Sequence, residues 1–209
     1  MPHRSDRDRF LGRIAGVGST SGTRVVVGAW SSSPLGTFAD AMVETRSGHR
    51  VLLAPRDAVV DYVSATYTFD EVRVEPLSCT AGERGWTLRS DSLSLDLTVG
   101  SRMPLGWLLH SLPRPLSASP SWARVVDPVA RVVLPGVRTV GTAREGRREF
   151  YGASDLHRVT AVRGRFDGQE LGDLAAIDPP ACFGFSSTPR TPSVTEVVTT
   201  VVRSAALPR

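Results

Sequence analysis

Apolar and polar residues alternate along much of this chain, which is the pattern of strands that bury one face of a sheet. The clearest example is the range 92–99, in which one face carries Leu93, Leu95, Leu97 and Val99. Runs rich in β-branched and aromatic residues predict further strands at 23–30, 37–45, 50–54, 71–75, 86–89, 136–140, 148–151, 159–166 and 194–203.

Turn residues separate these runs and indicate how the strands connect. Ser47-Gly48-His49 and Asp167-Gly168 are typical of hairpin turns. Because a hairpin joins two antiparallel neighbours, the order of the runs predicts an antiparallel meander.

Two segments have helical spacing instead. Pro55 suits a first helical turn, and the apolar residues that follow it predict a short helix near 55–65. Two apolar stripes within 104–135 flank a proline-rich joint at 113–120, and Pro128 would kink a helix there. We expect a helical insertion at 104–135, which would serve as helices packed on the sheet, as a lid over a cavity, or as a contact surface.

The pattern as a whole predicts a mainly β fold. We expect an antiparallel β-barrel or a double-sheet cone that carries the short helix and the helical insertion. Residues 1–13 are predicted to be a flexible basic tail or a short capping helix, and 14–209 a single β-rich domain.

The composition removes one class of chemistry. All 25 basic residues are arginine, and arginine cannot act as an amine nucleophile. Schiff-base catalysis needs a lysine or a free N-terminal amine, and the amine of Met1 lies on a polar segment. The absence of lysine and asparagine indicates a GC-rich genome, such as that of a GC-rich bacterium.

Charge and hydropathy indicate which partners and which cellular compartment to expect. The net charge of +4 is spread along the chain and aromatic residues are only 7% of it, so nucleic acid is not an expected partner. No apolar run approaches the roughly 20 residues of a membrane span, and no apolar stretch follows the charged N-terminus. Cys79 and Cys182 are far apart in sequence, which favours reduced thiols and a cytoplasmic protein.

Few residues have a spacing that indicates catalysis. No two histidines have metal-ligand spacing, and we expect neither a metal nor a cofactor. Asp155 and His157 are candidate catalytic residues, because alternate strand positions place a carboxylate and an imidazole on one side. A surface or turn pair is the alternative, and carboxylates such as Glu71 and Glu75 on early strands would ordinarily face water.

One family resemblance rests on two short segments. Residues 33–43, SPLGTFADAMV, resemble the S-P-x-G-x-Y-x-E-x-x-V pattern near the start of acetoacetate decarboxylase-like proteins. Residues 65–72, ATYTFDEV, are similar to the helix-to-strand passage that carries the catalytic lysines of that family. The hairpin and the helix between the two segments also have the order expected of the family.

The resemblance implies a β-barrel with a largely apolar cavity, without the family's reaction. The passage that carries the lysines reads Phe-Asp-Glu at 69–71 in this chain, and Asp40 stands where the family favours glutamate. Decarboxylation through a lysine therefore does not carry over, whereas the position of the cavity does. Arg73 would hold an anion there. The residues implied to bind the ligand are Asp40, Tyr67, Phe69, Glu71 and Arg73.

These observations lead to three functional hypotheses. The first is a protein that binds a small molecule, either an organic acid or an apolar ligand, on a decarboxylase-like barrel without Schiff-base chemistry. The second is an acid–base enzyme that uses carboxylates and His157. The third is a protein that contacts a partner or a membrane surface through 104–135. Whether any reaction is catalysed, and whether the chain forms a homo-oligomer, stay open.

Overall fold

A computed structural model describes residues 7–111, 140–142, 147–184 and 187–203, which contain thirteen strands and two helices. The strands are β1 (Arg7–Ser19), β2 (Arg24–Ser32), β3 (Phe38–Glu44), β4 (Arg50–Ala54), β5 (Glu71–Val74), β6 (Ser78–Ala81), β7 (Gly85–Arg89), β8 (Leu93–Arg102), β9 (Val140–Thr142), β10 (Arg147–Phe166), β11 (Gln169–Glu170), β12 (Leu174–Ala175) and β13 (Ser193–Arg203). The helices are α1 (Asp57–Ser64) and α2 (Pro104–His110).

All of these strands belong to one sheet, so the predicted mainly β fold is confirmed. The strand order is β5-β4-β3-β2-β1-β13-β10-β8-β7-β6, with β9 and β11 paired to β10 and β12 paired to β1. Every pairing is antiparallel except β4–β5, which is parallel because α1 carries the chain back between these two strands. The sheet curls into a half-barrel whose two edge strands, β5 and β6, are not paired with each other.

The predicted meander is wrong at the centre of the sheet. The last strand, β13, lies between β1 and β10 instead of beside its predecessor in the chain. Local turn residues specify only which consecutive strands pair, as in the confirmed turns at Gly48 and at Asp167-Gly168. No local signal marks the long-range pairing of β13 with β1.

The prediction of a tail or capping helix at 1–13 is wrong for residues 7–13, which form the first half of β1. Arg7, Arg9 and Leu11 are exposed, whereas Phe10 is 5% exposed and packs in an apolar cluster. In the sequence, a strand with charged residues on one face looks like a polar tail when the strand that it pairs with is far away in the chain. Residues 1–6 lie outside the described residues.

The short helix predicted near 55–65 is confirmed as α1. Its first turn carries Asp57, whose negative charge is favourable at a helix N-terminus. Val59 and Val63, four positions apart, are both buried. They pack in a cluster with Leu52 and Phe10, so α1 covers the convex face of the sheet.

The predicted insertion at 104–135 begins as expected with α2, which has Pro104 in its first turn. Trp107 and Leu108 are each 62% exposed on it. The rest of the predicted insertion, 112–135, lies outside the described residues. Neither α1 nor α2 has the length and apolar character of a membrane-crossing helix.

Candidate functional site

The concave face of the sheet is packed at one end and open at the other. On β1, Ala15 belongs to the apolar core, whereas Arg13, the next residue on the same face, lines a cavity of about 1470 Å³. On β8, Leu97 belongs to the core and Val99 lines the cavity. Because alternate residues of a strand share a face, these strands pass from core to cavity along their length.

Small apolar side chains form much of the cavity wall. Ala29, Ala39, Val99 and Val198 come from β2, β3, β8 and β13, and all of them line it. Leucines and two aromatic residues, Trp86 and Phe166, help to fill the packed end, so the shorter side chains here leave the space open. The volume exceeds the roughly 300–1,000 Å³ of most small-molecule sites. It is sufficient for a small organic molecule with an apolar body.

A buried carboxylate organises the polar side of the cavity. Asp155 accepts two hydrogen bonds from Arg102, at 2.8 Å from Nε and 2.7 Å from Nη2. It accepts a third, of 2.8 Å, from the backbone amide of Leu156. The Arg102 guanidinium also lies 4.6 Å from the centre of the Trp107 ring on α2. These contacts hold Asp155 in one orientation at the cavity.

The first turns of α2 lie directly against β10 near this carboxylate. A Cβ on Gly106 would lie 2.3 Å from the carbonyl oxygen of Leu156, so only glycine permits this approach. Met103 donates its backbone amide to the same oxygen at 2.9 Å. The close packing brings His110, at the end of α2, to the Asp155 carboxylate.

Two imidazoles flank Asp155. Nδ1 of His157 lies 3.7 Å from Oδ1 of Asp155, and Nδ1 of His110 lies 3.6 Å from Oδ2. All three residues line the cavity. The predicted catalytic pair is therefore brought together, with a second histidine that sequence spacing did not indicate.

The environment of Asp155 favours its ionised form. Partial burial raises the pKa of this carboxyl, but the hydrogen bonds from Arg102 and Leu156 outweigh burial and bring the pKa below its ordinary value. A carboxylate held in this way can orient a neighbouring imidazole for proton transfer. Within the described ranges, no group of three or more His, Cys, Asp and Glu side chains has the arrangement of a metal site.

The predicted ligand residue Asp40 lies on the opposite, convex face of the sheet. Asp40 is 2% exposed, and its carboxyl accepts a 2.9 Å hydrogen bond from Nε1 of Trp30. Burial raises the pKa of Asp40 to about 7, although the Trp30 hydrogen bond opposes the rise. A Cβ on Gly28 would lie 2.6 Å from both partners, so Asp40 and Trp30 fill the space above this glycine.

Tyr67, also predicted to bind the ligand, belongs to the same buried region. Its hydroxyl contacts the hydroxyl of Tyr151, and both tyrosines donate to Oε2 of Glu149, at 3.3 Å and 3.1 Å. Burial and the charge of Glu149 raise the pKa of both tyrosines well above the ordinary value. The charge of Asp40 also contributes to the rise in the pKa of Tyr151.

Phe69 packs in the same apolar clusters as Tyr67, whereas Glu71 and Arg73 lie apart on β5. Phe69 packs against Phe183, with ring centres 5.7 Å apart. Glu71 and Arg73 form an ion pair of 2.7 Å on β5. Arg73 also donates to both carboxylate oxygens of Asp167, at 2.5 and 3.1 Å, and therefore holds protein carboxylates.

Sequence reasoning missed Arg13, Arg102 and His110 as cavity residues. Arg102 ends a strand that was predicted, and His110 ends a helix that was predicted, but their meeting at Asp155 depends on long-range packing. Gly106 was the available signal, because a glycine within a short apolar helix indicates a close backbone approach.

The solved structures that are similar to this chain include acetoacetate decarboxylases. An acetoacetate decarboxylase from Legionella pneumophila matches with 7% identity and a TM-score of 0.43, covering 94% of this chain and 84% of that one. A second acetoacetate decarboxylase structure matches with 8% identity, a TM-score of 0.37 and the same coverage. No family model matches the chain, and no curated protein matches it. Both structures belong to the family that the motif at 33–43 resembles. Because the TM-scores are low, the proposed function rests on the side chains of this chain.

Proposed function

We propose that this protein binds a small organic molecule with an apolar body in the concave cavity, without an amine-based covalent step. The observation that supports this proposal is a cavity of about 1470 Å³ with small apolar walls and the Arg102–Asp155 pair on its polar side. Ligand sites typically combine apolar walls with a few oriented polar groups. The chain contains no lysine, so binding there does not use a lysine Schiff base.

The residues predicted from the sequence to bind a ligand are a second location, outside the concave cavity: Asp40, Tyr67, Phe69, Glu71 and Arg73. Trp30 and Gly28 pack closely against Asp40 there. We favour the concave cavity because it offers space as well as polar groups.

Native mass spectrometry of the purified protein tests the proposal. We expect a small molecule to remain bound to the wild-type protein and to be lost from Val99→Trp, whose indole would occupy the cavity. Val72→Trp is the matched control, because Val72 is 42% exposed on β5 and does not line the cavity. A ligand that stays equally bound in Val99→Trp would contradict the location.

A second candidate function is acid–base catalysis by His157 oriented by Asp155. The 3.7 Å separation of these side chains within the cavity favours it. The probe is pyruvate in D2O, whose methyl protons exchange when a base removes them. We expect exchange above the buffer rate for the wild-type protein and its loss in His157→Gln, and equal exchange by both proteins would exclude this role.

A further inference from the structure

Arg13 is held by backbone carbonyls and an aromatic ring. Its guanidinium is half-buried in the cavity and donates to two backbone carbonyls, those of Gly82, at 3.2 Å, and Ala81. The face of the Trp86 ring lies against it, with 5.5 Å between the guanidinium carbon and the ring centre. None of these partners carries a negative charge.

The charge of Arg13 is therefore not matched by an ion pair within the part of the chain that the structure describes. Arg102 is held by Asp155, and Arg73 by Glu71 and Asp167. Glu196 lies opposite Arg13 in the β1–β13 register and lines the same cavity. The contacts of the Arg13 guanidinium are nevertheless carbonyls and an aromatic ring, so the cavity retains a fixed cation.

The geometry leaves Arg13 able to bind a further group. A guanidinium has five N–H donors, and the two carbonyls take one each, which leaves three. The carbonyls and the Trp86 ring fix its position, so little side-chain freedom is lost when a ligand binds. A carboxylate accepts such donors in pairs, with hydrogen bonds roughly twice as strong as neutral ones.

We infer that Arg13 is the carboxylate-binding residue of the cavity, and that the ligands are small monocarboxylic acids with an apolar body. The carboxylate pairs with Arg13, and the apolar body lies against Ala29, Ala39 and Val99. This inference rests on the proposed function, because it assigns the ligand class of the same cavity. Of the two ligand classes predicted from the sequence, an organic acid or an apolar ligand, the inference favours the organic acid.

Titration calorimetry with matched probes tests the inference. Hexanoate and hexanamide have the same chain length and differ in charge. We expect the wild-type protein to bind hexanoate about 10- to 100-fold more tightly than hexanamide. Arg13→Gln should lose this preference while its affinity for hexanamide stays unchanged. Arg9→Gln is the matched control and should keep the preference, because Arg9 is exposed on the same strand and does not line the cavity.

The outcomes separate the inference from the proposed function. Equal binding of both probes to the wild-type protein overturns the inference and leaves a neutral-ligand cavity. An unchanged preference in folded Arg13→Gln also overturns it. If Arg13→Gln fails to fold, the wild-type comparison decides, and Arg13→Lys should keep part of the preference. If no probe binds and native mass spectrometry finds no ligand, the proposed function is contradicted as well.

Discussion

Two buried carboxylates on opposite faces of one sheet have opposite environments. Asp155, on the concave side, receives two hydrogen bonds from Arg102 and one from a backbone amide. Asp40, on the convex side, receives one from Trp30. A cationic partner keeps the first ionised, and burial without one favours a proton on the second. The ionisation state of each carboxyl thus depends more on whether a cation contacts it than on how deeply it is buried.

The two groups make stability depend on pH with opposite signs. The pKa of Asp40 is raised from 3.8 to about 7, so the folded protein keeps this proton over a range in which the unfolded chain releases it. Stability therefore falls as pH rises through that window. The pKa of Asp155 is lowered, so its contribution is present above the ordinary value of 3.8 and is lost as pH falls below it.

Removing the charge of Asp40 should change the free energy of unfolding more than the other substitutions. At pH 8 we expect Asp40→Asn to raise the free energy of unfolding by about 3 kcal/mol, because the neutral amide avoids an ionised buried carboxylate. At pH 4 the gain should be close to zero. Urea unfolding followed by circular dichroism from pH 4 to pH 8 measures both values.

Asp96→Asn is the matched control for that experiment. Arg89 and Thr87 donate to the exposed Asp96, and the hydrogen bond from Arg89 lowers its pKa. Removing its charge should leave the pH dependence between pH 4 and pH 8 as in the wild-type protein. A similar slope in Asp40→Asn and in the wild-type protein would mean that Asp40 is ionised at little cost.

A smaller change, a loss of stability, is expected from replacing Arg102, the cation that pairs with Asp155 and has no counterpart at Asp40 within the described part of the chain. Arg102→Leu should lower the free energy of unfolding by about 2 kcal/mol, because it leaves a carboxylate with 10% side-chain exposure without its ion pair. The midpoint of urea unfolding at pH 7 measures it. Arg89→Leu, whose partner Asp96 is half exposed, should cost less than about 1 kcal/mol.

A double variant separates the loss of the ion pair from the cost of the unpaired carboxylate. Adding Asp155→Asn to Arg102→Leu should recover part of the loss, since no buried charge is then unpaired. If Arg102→Leu costs no more than Arg89→Leu, the ion pair contributes as little as one on the surface.

Replacing Arg73, which lies away from both Asp155 and Asp40, should change the free energy of unfolding least. Its partners Glu71 and Asp167 are 40% and 43% exposed, so solvent screens the pairs. Arg73→Gln should lower the free energy of unfolding by less than about 1 kcal/mol, and added salt should reduce the difference. Urea unfolding at low and high NaCl measures this change. A salt-independent loss would assign the role of Arg73 to packing on Phe166 instead.

Local patterns predicted the elements better than their arrangement. The strand at 50–54 and the helix near 55–65 were predictable because alternation, proline and helical spacing act within a few residues. The strand in 7–13 was missed because its partner, β13, is nearly the whole chain away.

The same limit applies to the candidate site. Asp155 and His157 were predictable together because they are two residues apart on one strand. Arg13 and Arg102 were not, because their surroundings come from distant strands: Arg13 of β1 reaches carbonyls of residues 81 and 82. The motifs at 33–43 and 65–72 predicted Asp40 and Tyr67 as neighbours, but they could not indicate which face of the sheet is open.

The central position of β13 has a consequence for how the chain matures. A ribosome makes this segment after the other twelve strands, yet it separates β1 from β10 in the finished sheet. Until it arrives, those two strands present unpaired backbone edges, which are the surfaces that recruit foreign strands. Newly made chains should therefore depend on chaperones until β13 is inserted.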